Sequence, residues 1–208
     1  MIKENYDKMK ISIRGYLIGM GYYKAVEAMN FAEKYHNGTR KDGNHEFSHQ
    51  VSQANLYRTY LPHVRQKELG FILIFLHDIV EDKDISLDEI EAKWGIEARY
   101  VVDKLTKEYR GHKKPNNIYY NDIVECPVSS IGKGIDRVHN LTTMLGGFKP
   151  QKRVEYIQET QEYVLPMLKQ ARRNFPDQEC VYENLKFIII NQINLYNALD
   201  KDFVRPIE

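Results

Sequence analysis

The sequence predicts an all-α protein. Three observations carry that expectation: apolar residues recur at helical spacing along most of the chain, strand-like alternation is scarce, and the periodic segments break at Gly, Pro and Asn. No internal repeat is evident. No linker divides the 208 residues into independently folding parts. The expectation is a single domain over 1–208, a bundle of about ten helices. Its core is expected over about 22–175, with a C-terminal helix at about 178–199 packed on it.

The first helix is expected over 4–18, stopped by Gly19 and Gly21. A second, over 23–36, turns Val26, Met29, Phe31 and Ala32 to a packed face, and Asn37-Gly38 ends it. The turn-rich stretch after it holds Arg40, Lys41, Asp42 and Gly43. A third helix, 48–60, carries His49 near its start and closes before Pro62. The fourth, 67–81, contains the apolar run Phe71-Ile72-Leu73-Ile74-Phe75-Leu76, which leads into His77-Asp78 and then Glu81-Asp82. Ser86 with Glu89 forms a capping box for a short fifth helix ending near Trp94-Gly95. The sixth covers 96–106. The basic stretch 107–117 reads as a Gly/Pro-interrupted surface loop. Helices over 119–126, 130–145, 151–173 and 178–199 complete the set, with Pro127 and then Phe175-Pro176-Asp177 as interruptions.

Charge is nearly balanced. Thirty basic and 29 acidic side chains give a net charge of +1, so no global field points to nucleic acid or a membrane. Cys126 and Cys180 fit neither a disulfide framework nor a paired-cysteine zinc motif and read as free thiols. The N-terminus lacks the apolar core of a signal peptide, and no apolar stretch approaches the roughly 20 residues of a membrane span. The expected location is the cytoplasm.

His77-Asp78 at the end of an apolar helix suits a divalent-metal site, but taken alone it reads more readily as a polar helix terminus. Helical spacing brings Glu81 under His77 and Asp82 under Asp78. Carboxylates in an apolar setting are rarely buried unless paired or bound to metal. His49, His77, Asp78 and Asp136 together make a two-His, two-carboxylate set drawn from three helices. Such mixed nitrogen and oxygen donors suit Mn²⁺, Fe²⁺ or Co²⁺ and admit Zn²⁺.

The order of these motifs resembles the HD-domain metal-dependent phosphohydrolases, and more closely the hydrolase domain of the RelA/SpoT alarmone enzymes and the small stand-alone alarmone hydrolases. Arg40-Lys41-Asp42-Gly43 followed by His49 matches the family's Arg-Lys-x-Gly turn and its following His. Phe75 to Lys83 matches Leu-Leu-His-Asp-x-Val-Glu-Asp-Thr, and Val102 to Thr106 a Val-x-x-x-Thr pattern. Lys133, Asp136, Arg137, His139, Asn140 and Thr143 match Lys-x-x-Asp-Arg-x-His-Asn-x-x-Thr, and Glu159-Thr160 through Pro166 resembles a later segment. The likeness spans roughly 22–200. The chain departs from the pattern at the shortened His36 to Arg40 turn, at His45, Glu46 and Phe47, and at Gln50, Lys83 and Thr142.

The resemblance implies an HD-domain helical bundle that hydrolyses guanosine 3′-diphosphate alarmones, releasing pyrophosphate with water activated by a divalent metal, Mn²⁺ before others. The implied ligands are His49, His77, Asp78 and Asp136, with Glu81 and Asp82 as the acid/base pair. Arg40, Lys41 and Lys133 are the implied phosphate contacts, and Asn140 and Thr143 the implied nucleotide contacts. Arg137 and His139 read as supporting groups, and Tyr119 and Tyr120 as core or rim residues. The expected partner is a small nucleotide, with neither nucleic acid nor membrane. An HD phosphohydrolase for another nucleotide and a nucleotide-binding module with little turnover are the alternatives.

Overall fold

The computed structural model describes residues 6–40 and 43–203. Its centre is α4 (Lys67–Leu76), in which every residue from Leu69 to Leu76 is buried. A helix apolar on all sides needs neighbours on all sides. α2 (Tyr23–Tyr35), α3 (Ser48–Thr59), α7 (Ile96–Leu105) and α9 (Pro127–Gly147) supply them. α1 (Tyr6–Gly19) packs on α2 and α3. The long α9 is the second hub and touches α3, α4, α7, α8 (Asn116–Val124), α11 (Leu165–Asn174) and α12 (Glu179–Phe203). One connected set of buried apolar residues runs from Ile13 to Tyr196. Among the described residues, no helix is long and apolar enough to cross a membrane.

Close approach depends on missing side chains. A Cβ on Gly132 would meet Leu73 Cδ2 at 2.8 Å, and one on Gly134 would meet Leu185 Cδ1 at 2.8 Å. α9 can therefore lie directly against α4 on one side and α12 on another. The capping box at the start of α6 (Leu87–Trp94) is present in both halves: Glu89 N–H donates to Ser86 Oγ, and Ser86 N–H to Glu89 Oε2.

The expected fourth helix does not run unbroken to Glu81. It stops at Leu76, turns through His77-Asp78, and resumes as α5 (Ile79–Asp82). The cause is local: His77 Nδ1 donates to Ile74 O at 2.9 Å, and a side chain entering the carbonyl ladder breaks a helix. The expected helix over 151–173 is likewise divided, into α10 (Pro150–Glu159), a π turn (Thr160–Val164) and α11. There the carbonyl of Tyr156 accepts from Thr160 Oγ1 at 2.6 Å and Arg137 Nη1 at 3.2 Å, while Leu165 N–H reaches back five residues to Thr160 O. Counting each broken pair as one rod, the described residues form ten helical rods.

Other boundaries move for readable reasons. α9 begins at Pro127 rather than Ser130 because proline suits the first helical position. α8 begins at Asn116, directly after Pro115. The expected loop over 107–117 is a small hairpin, β1 (Glu108–Tyr109) antiparallel to β2 (His112–Lys113). Its turn residues, Arg110 and Gly111, both have positive φ, 50° and 78°, which matches the twist of a tight hairpin.

Gly70 offers a direct test of the packing around α4. A Cβ there would overlap the hydroxyl and ring of Tyr57, which is itself wedged edge-on against Phe71 at 4.9 Å. Helix propensity alone would favour Gly70→Ala by up to about 1 kcal/mol. Overpacking outweighs it, and chemical denaturation should show a net loss of about 1–3 kcal/mol.

Candidate functional site

Three elements bring the expected metal ligands together. α3 presents His49, the break between α4 and α5 presents His77 and Asp78, and α9 presents Asp136. His49 Nε2 lies 3.4 Å from Asp78 Oδ2 and 3.3 Å from Asp136 Oδ1. His77 Nε2 lies 3.1 Å from Asp78 Oδ1 and 3.7 Å from Asp136 Oδ1. One donor atom each from His49, His77 and Asp78 falls within 4.8 Å of the others. Ligands bound at about 2.1 Å stand about 3 Å apart, so these separations suit a shared cation.

Ring chemistry supports the same fit. With His77 Nδ1–H committed to the Ile74 carbonyl, the neutral ring has its lone pair on Nε2, where either a proton or a cation can sit. That Nε2 is buried, lacks a hydrogen bond, and faces two carboxylates. A lone pair against carboxylate oxygens is repulsive until a cation or proton lies between them. Burial opposes charging of His77, yet the Asp78 and Asp136 carboxylates hold it well above its ordinary value. Burial would raise both carboxyls, but His77 and His49 hold Asp78 down, and Lys133 with the same two rings holds Asp136 down.

His49 is oriented from behind. Its Nδ1 lies 2.8 Å from Nδ1 of His139, and the rings meet edge-on. Burial, followed by the charges of His49 and Arg40, pushes His139 down to about 3. His139 is therefore neutral and accepts the His49 Nδ1–H, leaving His49 Nε2 for the carboxylate side.

Asp136 is the most heavily engaged carboxylate. Lys133 Nζ donates to its Oδ2 at 3.1 Å, and Asn140 Nδ2 and Gln53 Nε2 donate to Oδ1 at 2.7 and 3.2 Å. Lys133 and Asn140, expected to face substrate, are thus tied to a candidate ligand. Thr143 returns its hydroxyl to His139 O, within its own helix, at 3.2 Å. Gln53, whose Nε2 also lies 2.6 Å from His49 Nε2, went unread in the sequence. Its position one turn after His49 on α3 was the available signal.

The expected acid pair divides. Glu81 Oε1 accepts the backbone N–H groups of Lys107 and Glu108, joining α5 to the hairpin. Asp82 is open to solvent as a residue, but its carboxyl is crowded. Desolvation, followed by the charges of Asp78 and Glu81, raises it to about 6. Arg40 is near enough for its charge to bear on His139. Lys41 lies outside the described residues. Arg137 is a buried structural clamp, binding Thr160 Oγ1 and Tyr120 OH at 3.0 and 3.1 Å and lying 3.8 Å above the Tyr156 ring. Tyr119 and Tyr120 are buried and committed through their hydroxyls to Leu105 O and Glu159. Two cavities of about 530 and 520 Å³ lie elsewhere, lined by none of the four candidate ligands.

Beside the cluster, Glu46 gathers three donors: Lys83 Nζ at 2.8 Å, Gly38 N–H at 3.1 Å and His36 Nδ1 at 3.3 Å. Burial alone would raise its carboxyl, but these donors hold it at about 2.

The described residues combine a helical fold with a buried His–Asp cluster whose donors suit a divalent cation. No family model matches the chain. Among curated proteins it is similar to a probable guanosine-3′,5′-bis(diphosphate) 3′-pyrophosphohydrolase of Synechocystis, 29% identical over 136 residues, covering 62% of the chain and 17% of that protein. It is also similar to the enzymes so named in Vibrio cholerae, at 26% identity over 78% of the chain, and Spiroplasma citri, at 26% over 93%. The chain spans 24% and 26% of the length of those two relatives. A solved structure titled as a metazoan ortholog of SpoT that hydrolyzes ppGpp superposes with a TM-score of 0.64 at 16% identity, over 83% of this chain and 95% of that one. In sequence the chain is similar to enzymes named for hydrolysis of guanosine-3′,5′-bis(diphosphate), and in structure it shares the helical fold of that SpoT ortholog.

The donors around Glu46 set a pH dependence. Its folded value, about 2, lies below the ordinary 4.5, so its contribution is complete above 4.5 and is lost as pH falls through 2. Because the pair is partly exposed, Glu46→Gln should cost about 1–3 kcal/mol near neutrality. In denaturant titrations the gap from wild type should close as pH approaches 2.

Proposed function

We propose that the chain hydrolyses guanosine 3′,5′-bis(diphosphate) alarmones at the 3′ position, with a divalent cation held by His49, His77, Asp78 and Asp136. The observation that carries this reading is His77 Nε2, buried without a hydrogen-bond partner against two carboxylates. The relatives' names supply the substrate class. A bound cation would polarise a phosphoryl oxygen and acidify water, with Mn²⁺ the first candidate for this nitrogen and oxygen set.

The chain's own groups do the rest. The Ile74 carbonyl and His139 fix the two imidazoles, and Lys133, Asn140 and Gln53 orient Asp136. Asp82, raised toward neutrality, takes the proton of the attacking water, and Glu81 holds α5 in register with the hairpin. Arg40, with Lys41, neutralises the diphosphate. The water oxygen forms a bond to the phosphorus attached to the 3′ oxygen. The bond between that phosphorus and the 3′ oxygen breaks, and a proton ends on the 3′ hydroxyl. The products are pyrophosphate and GDP from ppGpp, or GTP from pppGpp. With a net charge of +1, the chain is suited to a free nucleotide rather than to nucleic acid.

A substrate panel with Mn²⁺ tests the reading. Pyrophosphate together with GDP or GTP should appear from ppGpp and pppGpp. 5′-nucleotides, dinucleotides and single-stranded DNA should remain intact. Efficient cleavage of those controls with the alarmones untouched would overturn it. Within the same assay, His77→Ala and Asp136→Asn should lose bound metal by elemental analysis while keeping a helical circular dichroism spectrum. Asp82→Asn should keep the metal and lose on the order of 10²-fold in kcat, whereas Glu81→Gln, which retains an acceptor for the hairpin amides, should keep the metal and most of kcat.

A further inference from the structure

We propose that the Glu46–Lys83 ion pair is a latch that positions Arg40 over the site, an inference that rests on the hydrolase reading above. This pair joins two segments that contribute to the site. One is the loop between α2 and α3, which carries Arg40 and ends at Phe47, two residues before His49. The other is the end of α5, where Lys83 directly follows Glu81 and Asp82.

The loop closes on itself. Arg40 N–H donates to Asn44 O at 2.9 Å, Glu46 N–H to Gly38 O at 2.8 Å, and Thr39 pairs with His45 as an antiparallel bridge. Those bonds fix its internal shape but not its placement over α5. The Glu46 carboxylate joins the two: Oε2 takes Gly38 N–H, and Oε1 takes His36 Nδ1–H and Lys83 Nζ. The Tyr6 and His45 rings also stack, at 5.0 Å. The loop that carries Arg40 is thus tied to the end of α5 through Glu46 and to α1 through His45.

Geometry separates this pair from an ordinary surface pair. The side chains of Lys83 and Glu46 are only 23% and 26% exposed, and Glu46 has three donors rather than one. Surface pairs between solvated charges contribute little. A part-buried carboxylate with several donors costs more to disturb, because the remaining groups lose their partner. Lys83 is a positioning residue here, acting through Glu46 and the loop.

The test is a set of variants: Lys83→Met, Lys83→Arg, Glu46→Gln, Arg40→Ala, and Arg40→Ala with Lys83→Met. Each is assayed with Mn²⁺ and ppGpp, by elemental analysis, by thermal unfolding, and by amide hydrogen exchange over 36–47. Lys83→Met should raise KM about 3- to 10-fold with kcat within about 2-fold, metal content unchanged, and loop amides exchanging faster. Lys83→Arg, which keeps a charged donor to Glu46, should hold KM and exchange protection near those of the wild type. Adding Lys83→Met to Arg40→Ala should raise KM no further, since Arg40 is what the latch places. Unchanged KM and loop exchange in Lys83→Met, or independent multiplication of the two effects, would overturn the latch. If the wild-type protein leaves alarmones intact, the hydrolase reading falls. Loop exchange in Lys83→Met and Lys83→Arg then decides the latch alone.

Discussion

The structure depends on keeping one charged carboxylate, Asp136, inside a helical bundle. Its side chain is 8% exposed, and an isolated carboxylate there would be strongly disfavoured. Lys133, Asn140 and Gln53 each donate to it, and two imidazoles face it. Removing one partner from such a buried set costs about 3–5 kcal/mol, because the charge stays behind uncompensated. This demand draws polar residues of α3 and α9 to one point and leaves α4, between them, to be filled with apolar side chains. The same charge makes the point attractive to a cation.

Orientation is settled one layer out. Neither His49 nor His77 is free to choose its tautomer: His139 and the Ile74 carbonyl choose for them. The Ile74 contact also breaks the helix, so the bend that turns His77 and Asp78 toward α9 and the tautomer that makes His77 a ligand share one hydrogen bond. Arg137 performs a parallel task between α9 and the π turn, holding the next helix while its neighbour Asp136 faces the opposite way into the cluster.

What was legible in the sequence is what is local or chemically rare. The capping box at Ser86 and Glu89 needs only four residues, and the apolar run ahead of His77-Asp78 announces a buried helix. The His and Asp motifs stand out because such groups are seldom placed near apolar runs without cause. The unread features are set by partners far along the chain. The π turn answers to Arg137, 23 residues before Thr160, and the Glu46–Lys83 pair spans 37 residues. Gln53 is an ordinary polar residue until His49 and Asp136 surround it. The hairpin has only two residue pairs, too few to show alternation. Lys133 and Asn140 were expected to look outward; Asp136 claims them both.

The hairpin has a consequence for how the chain tolerates change in length. Lys107 offers its backbone N–H to Glu81 and its ammonium to Glu159, while Glu108 offers a second N–H to the same Glu81 oxygen. A residue inserted before Lys107 would shift both amides off that oxygen and pull the ammonium from Glu159. A residue inserted at Arg110-Gly111, where the turn meets solvent, would leave all three contacts in register. The acceptable site for drift, tagging or circular rearrangement in this stretch is therefore the tip, about three residues from a junction that admits none.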